Sequence, residues 1–171
     1  FSMYLLGAIR AYVGGESQWS KAHTSAVAQL QAHIATGDPA YLQGFESALS
    51  VQRGDQRARE ALDARPVQWE VARQGLLAGG IDEGDATAMM VLYHLFRDTW
   101  LFQPSLRAWI QGDQLIGELR LLAERSRRLT PEQREGPIGL ALSREVAHLD
   151  GQLLAEERVF LAHLTQAAHA T

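Results

Sequence analysis

The stretch RAYVGGESQWSKA, positions 10–22, gathers most of the side-chain chemistry of this chain into about three helical turns. On a helix, Tyr12, Glu16 and Trp19 are spaced by four and then three residues, so they share one face. Arg10 and Lys21 bracket them, and Lys21 is the only lysine in the chain. A flat aromatic wall, an anionic acceptor and a cation are what a pocket for a small polar or zwitterionic ligand requires. The same residues also suit a bundle helix with one core tryptophan and surface ion pairs. Gly14 and Gly15 lie in the middle of the stretch and cost up to about 2 kcal/mol against alanine in a helix interior. They mark either a kink or the wall of a binding site.

Two further groups could carry charge chemistry. RGDQRARE (53–60) places Arg53, Asp55, Arg57 and Arg59 close together. That reads either as an anion site at a helix N-terminus or as an N-capping Asp55 with solvated arginines. LFRDTWLF (95–102) puts Arg97 and Asp98 inside an apolar run, where buried charges need partners. Trp109 and Asp113 stand four apart on the next helical pattern. Arg97 is expected either to pair with Asp113 or Glu16 or to hold a ligand carboxylate. The six histidines show no ligand-like clustering, and His94 reads as a partly buried structural side chain on an apolar helix face. No nucleophile-elbow, HExxH, P-loop or dinucleotide fingerprint occurs. The absence of cysteine excludes thiol nucleophiles, thiolate metal sites, disulfides and covalent haem attachment. No catalytic residue, metal ligand or cofactor is therefore assigned.

The elements that must position these groups are helical. Leu and Ala supply 49 of the 171 residues, whereas Val, Ile and Thr supply 21. The expectation is all-α: a single domain over 1–171, a helical bundle with long first and last helices and shorter ones between them. Apolar spacing predicts a first helix over about 2–36, closed by Gly37, with Asp38 capping a second helix from Pro39 to about Ser50. VQRGD is read as a break, followed by a short helix over QRAREALDA. A third main segment starts at Pro66 and stops at Gly79-Gly80. A fourth is capped by Asp82 or Asp85, and a fifth runs from near Pro104 to about Leu129. Thr130, Pro131 and Gln133 form a capping box, and Gly136-Pro137 restart the chain as a long final helix. The net charge of −4 and the lack of a basic stripe argue against nucleic acid as a partner. No apolar run reaches the length of a membrane span. The opening FSMYLLGAIR reads either as an ordinary amphipathic start or as the tail of a transmembrane helix.

RAYVGGESQWSKA (10–22), GDQRAR (54–59), AGG (78–80), LFRD (95–98) and the Trp109–Asp113 pair occur together in this order. In this the chain resembles the extracytoplasmic, periplasmic helical sensor domains of bacterial transmembrane receptors. Those domains lie between two transmembrane helices and precede GGDEF and EAL modules for cyclic-di-GMP turnover, or a histidine kinase. Ile81-Asp82 and Thr24 depart from the family's pattern. The resemblance implies a periplasmic domain of an inner-membrane protein, anchored by flanking helices outside this chain. It implies no catalysis in this domain, a homodimer in the full receptor, and an unknown small polar ligand or periplasmic protein as the signal. The ligand-binding candidates it implies are Arg10, Tyr12, Glu16, Trp19, Lys21, Asp55, Arg59, Arg97, Asp98, Trp109 and Asp113. Two other functions remain open. One is a small helical enzyme of chorismate-mutase type, using Arg10, Lys21, Arg57 and Glu16 on a dianion. The other is a ligand-free dimerisation module.

Overall fold

The computed structural model describes residues 2–170. The chain forms α1 (Ser2–Thr36), α2 (Pro39–Ala48), α3 (Ser50–Asp63), α4 (Trp69–Ala78), α5 (Glu83–Phe96), α6 (Gln103–Arg127), α7 (Pro131–Glu135) and α8 (Pro137–His169). No strand occurs among the described residues, and none of their helices is long and apolar enough to cross a membrane. The expected all-α bundle with long terminal helices is the observed architecture.

Its punctuation follows local chemistry. Gly37 takes a φ of +73°, which a side chain would resist, and ends α1. Asp38 accepts from the Ala40 amide, and Pro39 opens α2. Asp82, rather than Asp85, caps α5 by accepting from the Asp85 amide. Thr130 and Gln133 close a reciprocal capping box at α7.

Two expectations fail at α3 and α4. VQRGD is no break: α3 runs from Ser50 straight through Gly54 and Asp55. Gly54 is there because α3 and α4 meet backbone to backbone. An added Cβ at Gly54 would lie 2.5 Å from the Gly75 carbonyl oxygen, and one at Gly75 equally close to the Gly54 carbonyl. The contact requires two glycines, and tertiary packing keeps the helix intact across them. Asp55 is accordingly buried mid-helix and caps nothing. Pro66 does not start the next helix either; α4 begins at Trp69.

The two long helices run antiparallel. His23 meets Asp150 and Glu157, and Gln31 exchanges hydrogen bonds with Ser143, so rising numbers on α1 meet falling numbers on α8. The start of α1 and the end of α8 therefore lie at the same end of the bundle. At about 1.5 Å per residue, α1 is about 50 Å long. It serves two separate apolar cores. Leu5, Ile9 and Tyr12 pack with Tyr93, Phe102, Leu106 and Leu164 at one end. Trp19, Ala26, Leu30 and Ile34 pack with Phe45, Leu49, Leu119 and Val146 at the other. The Gly14–Gly15 pair sits where α1 passes from one core to the other.

Candidate functional site

A partly open cavity of about 50 Å³ lies at that junction. From α1 come Tyr12, Gly15, Glu16 and Trp19, and from α8 come Glu156, Glu157 and Phe160. Asp55 of α3 and Leu76 of α4 line it from one side, with Met89 of α5 and Ala108, Trp109 and Gly112 of α6 completing the wall.

Packing at the junction explains the room. Gly15 is buried, and a Cβ there would come within 3.2 Å of Ile81 Cδ1 and 3.5 Å of Met89 Cε. Gly14 faces open space. The pair produces no break in α1; one glycine makes way for side chains and the other is exposed. On α6, Gly112 leaves the place that the Trp19 ring occupies, since a Cβ there would sit 3.3 Å from its edge.

The aromatic wall is held by edge-to-face contacts. Tyr12 meets Phe102 at 5.5 Å and Trp109 at 6.4 Å between ring centroids, and Tyr93 meets the same two rings at 5.9 and 6.2 Å. The Tyr12 hydroxyl donates to the Met89 carbonyl at 2.8 Å, which fixes α1 to α5. Burial pushes that phenol well above its ordinary range, so it stays neutral. Trp19 Nε1 is buried without a hydrogen-bond partner among the described residues.

Four carboxylates line the cavity: Glu16, Asp55, Glu156 and Glu157. Glu157 is engaged, accepting from Ser20 Oγ and lying 2.7 Å from His23 Nδ1. His23 is fully buried between Glu157 and Asp150, each at 2.7 Å, although its Nε2 is too poorly aligned with Asp150 for a hydrogen bond. Asp55 is only 7% exposed, and its Oδ1 has no hydrogen-bond partner among the described residues. That oxygen lies against Gly79, where an added Cβ would collide with it. Burial, and then the Asp113 charge, raise the Asp55 carboxyl well above the usual carboxylate range. Burial and Glu157 raise Glu16 in the same direction.

Beside the cavity, Arg59 donates to Asp113 at 2.8 Å, with its guanidinium 5.9 Å from the Trp109 ring. Burial lifts Asp113 to about 6 despite this pairing. Among the described residues no Lys or Arg lines the cavity, and no group of three His, Asp or Glu side chains is placed to hold a metal ion.

The sequence candidates thus divide. Tyr12, Glu16, Trp19, Asp55 and Trp109 line one cavity, with Arg59 and Asp113 adjoining it. Arg10 and Lys21 are exposed on other faces of α1, because spacings of two from Tyr12 and Trp19 turn them out of the shared face. Arg97 pairs with Asp63 rather than Asp113 or Glu16, since Asp63 at the end of α3 lies across from the end of α5. Asp98 is exposed, with its Oδ1 3.5 Å from Nε of that guanidinium. RGDQRARE forms no anion site: Arg53 pairs with Glu46, Arg57 is exposed, and only Arg59 turns inward. The cations named for a dianion-binding enzyme, Arg10, Lys21 and Arg57, are all exposed and none lines the cavity. His94 is exposed rather than partly buried, its ring 5.1 Å from that of Trp69.

Glu156, Glu157, Phe160, Met89 and Gly112 were not among the candidates. For Glu157 a signal exists: Leu153, Glu157, Phe160 and Leu164 follow the helical repeat, which puts a carboxylate at a core position. His23 sits the same way between Trp19, Ala26 and Leu30 on α1. Comparison with models of known protein families gave no match, and comparisons with curated proteins and with solved structures gave none either.

Proposed function

We propose that the chain is an extracytoplasmic sensor domain of a membrane-bound signalling protein, without catalysis of its own. In this reading a small ligand enters the cavity and shifts the balance between two packings of the bundle. One observation carries it: the cavity is walled by both long terminal helices, through Tyr12, Gly15, Glu16 and Trp19 on α1 and Glu156, Glu157 and Phe160 on α8. Whatever fills it bears on the relative position of two antiparallel helices whose outer ends lie together. A differential affinity for two such positions is all that a ligand needs to shift their populations.

The output in this reading is cyclic-di-GMP turnover or a histidine kinase, on the resemblance of RAYVGGESQWSKA and the motifs that follow it. The test is to read the coding sequence on either side of the chain and to fuse reporters to it. The reading expects an apolar stretch of about 20 residues immediately before Phe1 and another after Thr171, with the chain exported. Finding neither stretch overturns it.

A further inference from the structure

Resting on the sensing role proposed for this cavity, we propose that its ligand is a small neutral molecule, mostly hydrocarbon, carrying one hydrogen-bond acceptor of the ketone kind. The surface that faces the space is almost wholly apolar, and Leu76, Met89, Ala108, Trp109 and Phe160 are among its walls. Glu16, Asp55, Glu156 and Glu157 border it but bring almost no polar surface to it. Glu157 is engaged with Ser20 and His23, and Asp55 Oδ1 lies against Gly79. A cation entering the space would shed its water against hydrocarbon. An anion would meet no Lys or Arg in the lining and four acids around it. Both charged classes are disfavoured, which leaves an uncharged and largely apolar guest.

One polar group gives that guest an orientation. Trp19 is 8% exposed, lines the cavity, and its Nε1 has no hydrogen-bond partner among the described residues. An indole N–H only donates, and a buried one ordinarily finds an acceptor. The donor lies on the Cζ2 edge of the ring. That edge faces the α6 wall of the cavity, since a Cβ at Gly112 would stand 3.5 Å from Cζ2. Tyr12, which carries the other polar group of this aromatic wall, is already committed to the Met89 carbonyl. Water, which needs about two to four polar partners, is poorly served by a wall that offers one. The volume of about 50 Å³ takes about four water-sized groups at roughly 10–15 Å³ each, which suits the end of a short-chain ketone.

The probes are 2-butanone, its alkene isostere 2-methyl-1-butene, butyrate and n-butylammonium, titrated into the chain. Thermal shift and proton–nitrogen NMR of the indole N–H groups read the binding. Butanone should raise the melting temperature and move the Trp19 indole proton downfield. In Trp19→Phe the ratio of butanone to alkene affinity should fall about tenfold, because the change in packing is common to both and the lost hydrogen bond is not. Butyrate and butylammonium should each bind at least about tenfold more weakly than butanone. An unchanged affinity ratio overturns the proposal. If circular dichroism shows that Trp19→Phe is unfolded, the indole proton of the parent chain decides alone, and its failure to move with butanone overturns the proposal. Tighter binding of either ion than of butanone overturns the neutral class and leaves the sensing role standing. No response to any probe overturns the ligand class; if the full-length protein with the cavity filled by Gly15→Val or Ala108→Leu then signals as before, the sensing role of the cavity falls with it.

Discussion

The two adjacent glycines of α1 should respond oppositely to alanine. Gly14 is exposed, inside a continuous helix, and a Cβ there meets nothing within 4 Å. Gly14→Ala therefore gains the propensity difference alone, about 1 kcal/mol. For a domain of this length that raises the melting temperature by about 2–4 °C. Gly15→Ala gains the same propensity but drives a methyl to 3.2 Å from Ile81 Cδ1 and 3.5 Å from Met89 Cε, both on buried side chains. Overpacking of this kind costs about 1–3 kcal/mol, so the net effect runs from neutral to about 2 kcal/mol destabilising. Thermal and urea unfolding, with an unchanged m-value, would measure both. Equal stabilisation by the two substitutions would refute the claim that Gly15 makes room for Ile81 and Met89. A Gly14→Ala protein no more stable than its parent would refute the continuity of α1 across the pair.

Stability should rise as pH falls through about 6 towards about 4. Asp55, Glu16 and Asp113 all have folded pKa values raised above the ordinary value, Asp113 to about 6. Their contribution is complete below about pH 4 and is lost as pH rises through the folded values. His33, lowered by burial and by Arg134, opposes them by losing stability as pH falls below about 6.5. Three carboxyl groups outweigh one imidazole, and Asp55→Asn should flatten the slope seen in melting temperature against pH. For the buried Arg59–Asp113 pair, Arg59→Met or Asp113→Leu alone should cost about 3–5 kcal/mol by stranding the other charge, and the double variant much less; a strictly additive double-mutant cycle would contradict the pairing.

Helix chemistry was legible where it is local. The capping box at Thr130, the Asp38–Pro39 start and the Gly37 stop each act within four residues, and each appears as read. Gly54 was misread because a glycine's local meaning is a weak helix. Its actual role depends on Gly75, which no local pattern reveals. The site divides along the same line. Tyr12, Glu16 and Trp19 were visible as one face because a single helix sets their spacing. Glu156, Phe160 and Gly112 reach the cavity only through the pairing of α1 with α8 and α6. Arg97 found Asp63 because the ends of α3 and α5 meet, a tertiary fact that two charged residues in an apolar run leave undetermined.

The charge arrangement at the cavity runs against what stability alone favours. Asp55 and Arg59 stand four apart on α3, the spacing at which a helix most readily forms an ion pair. Arg59 instead reaches across to Asp113 on α6, and Asp55 remains buried with an unpartnered oxygen. The chain has fifteen arginines, and it commits others to Glu46, Asp63, Glu70 and Glu145. What results is a carboxyl group whose pKa burial and Asp113 push well above the usual carboxylate range, beside aromatic rings and three more lining acids.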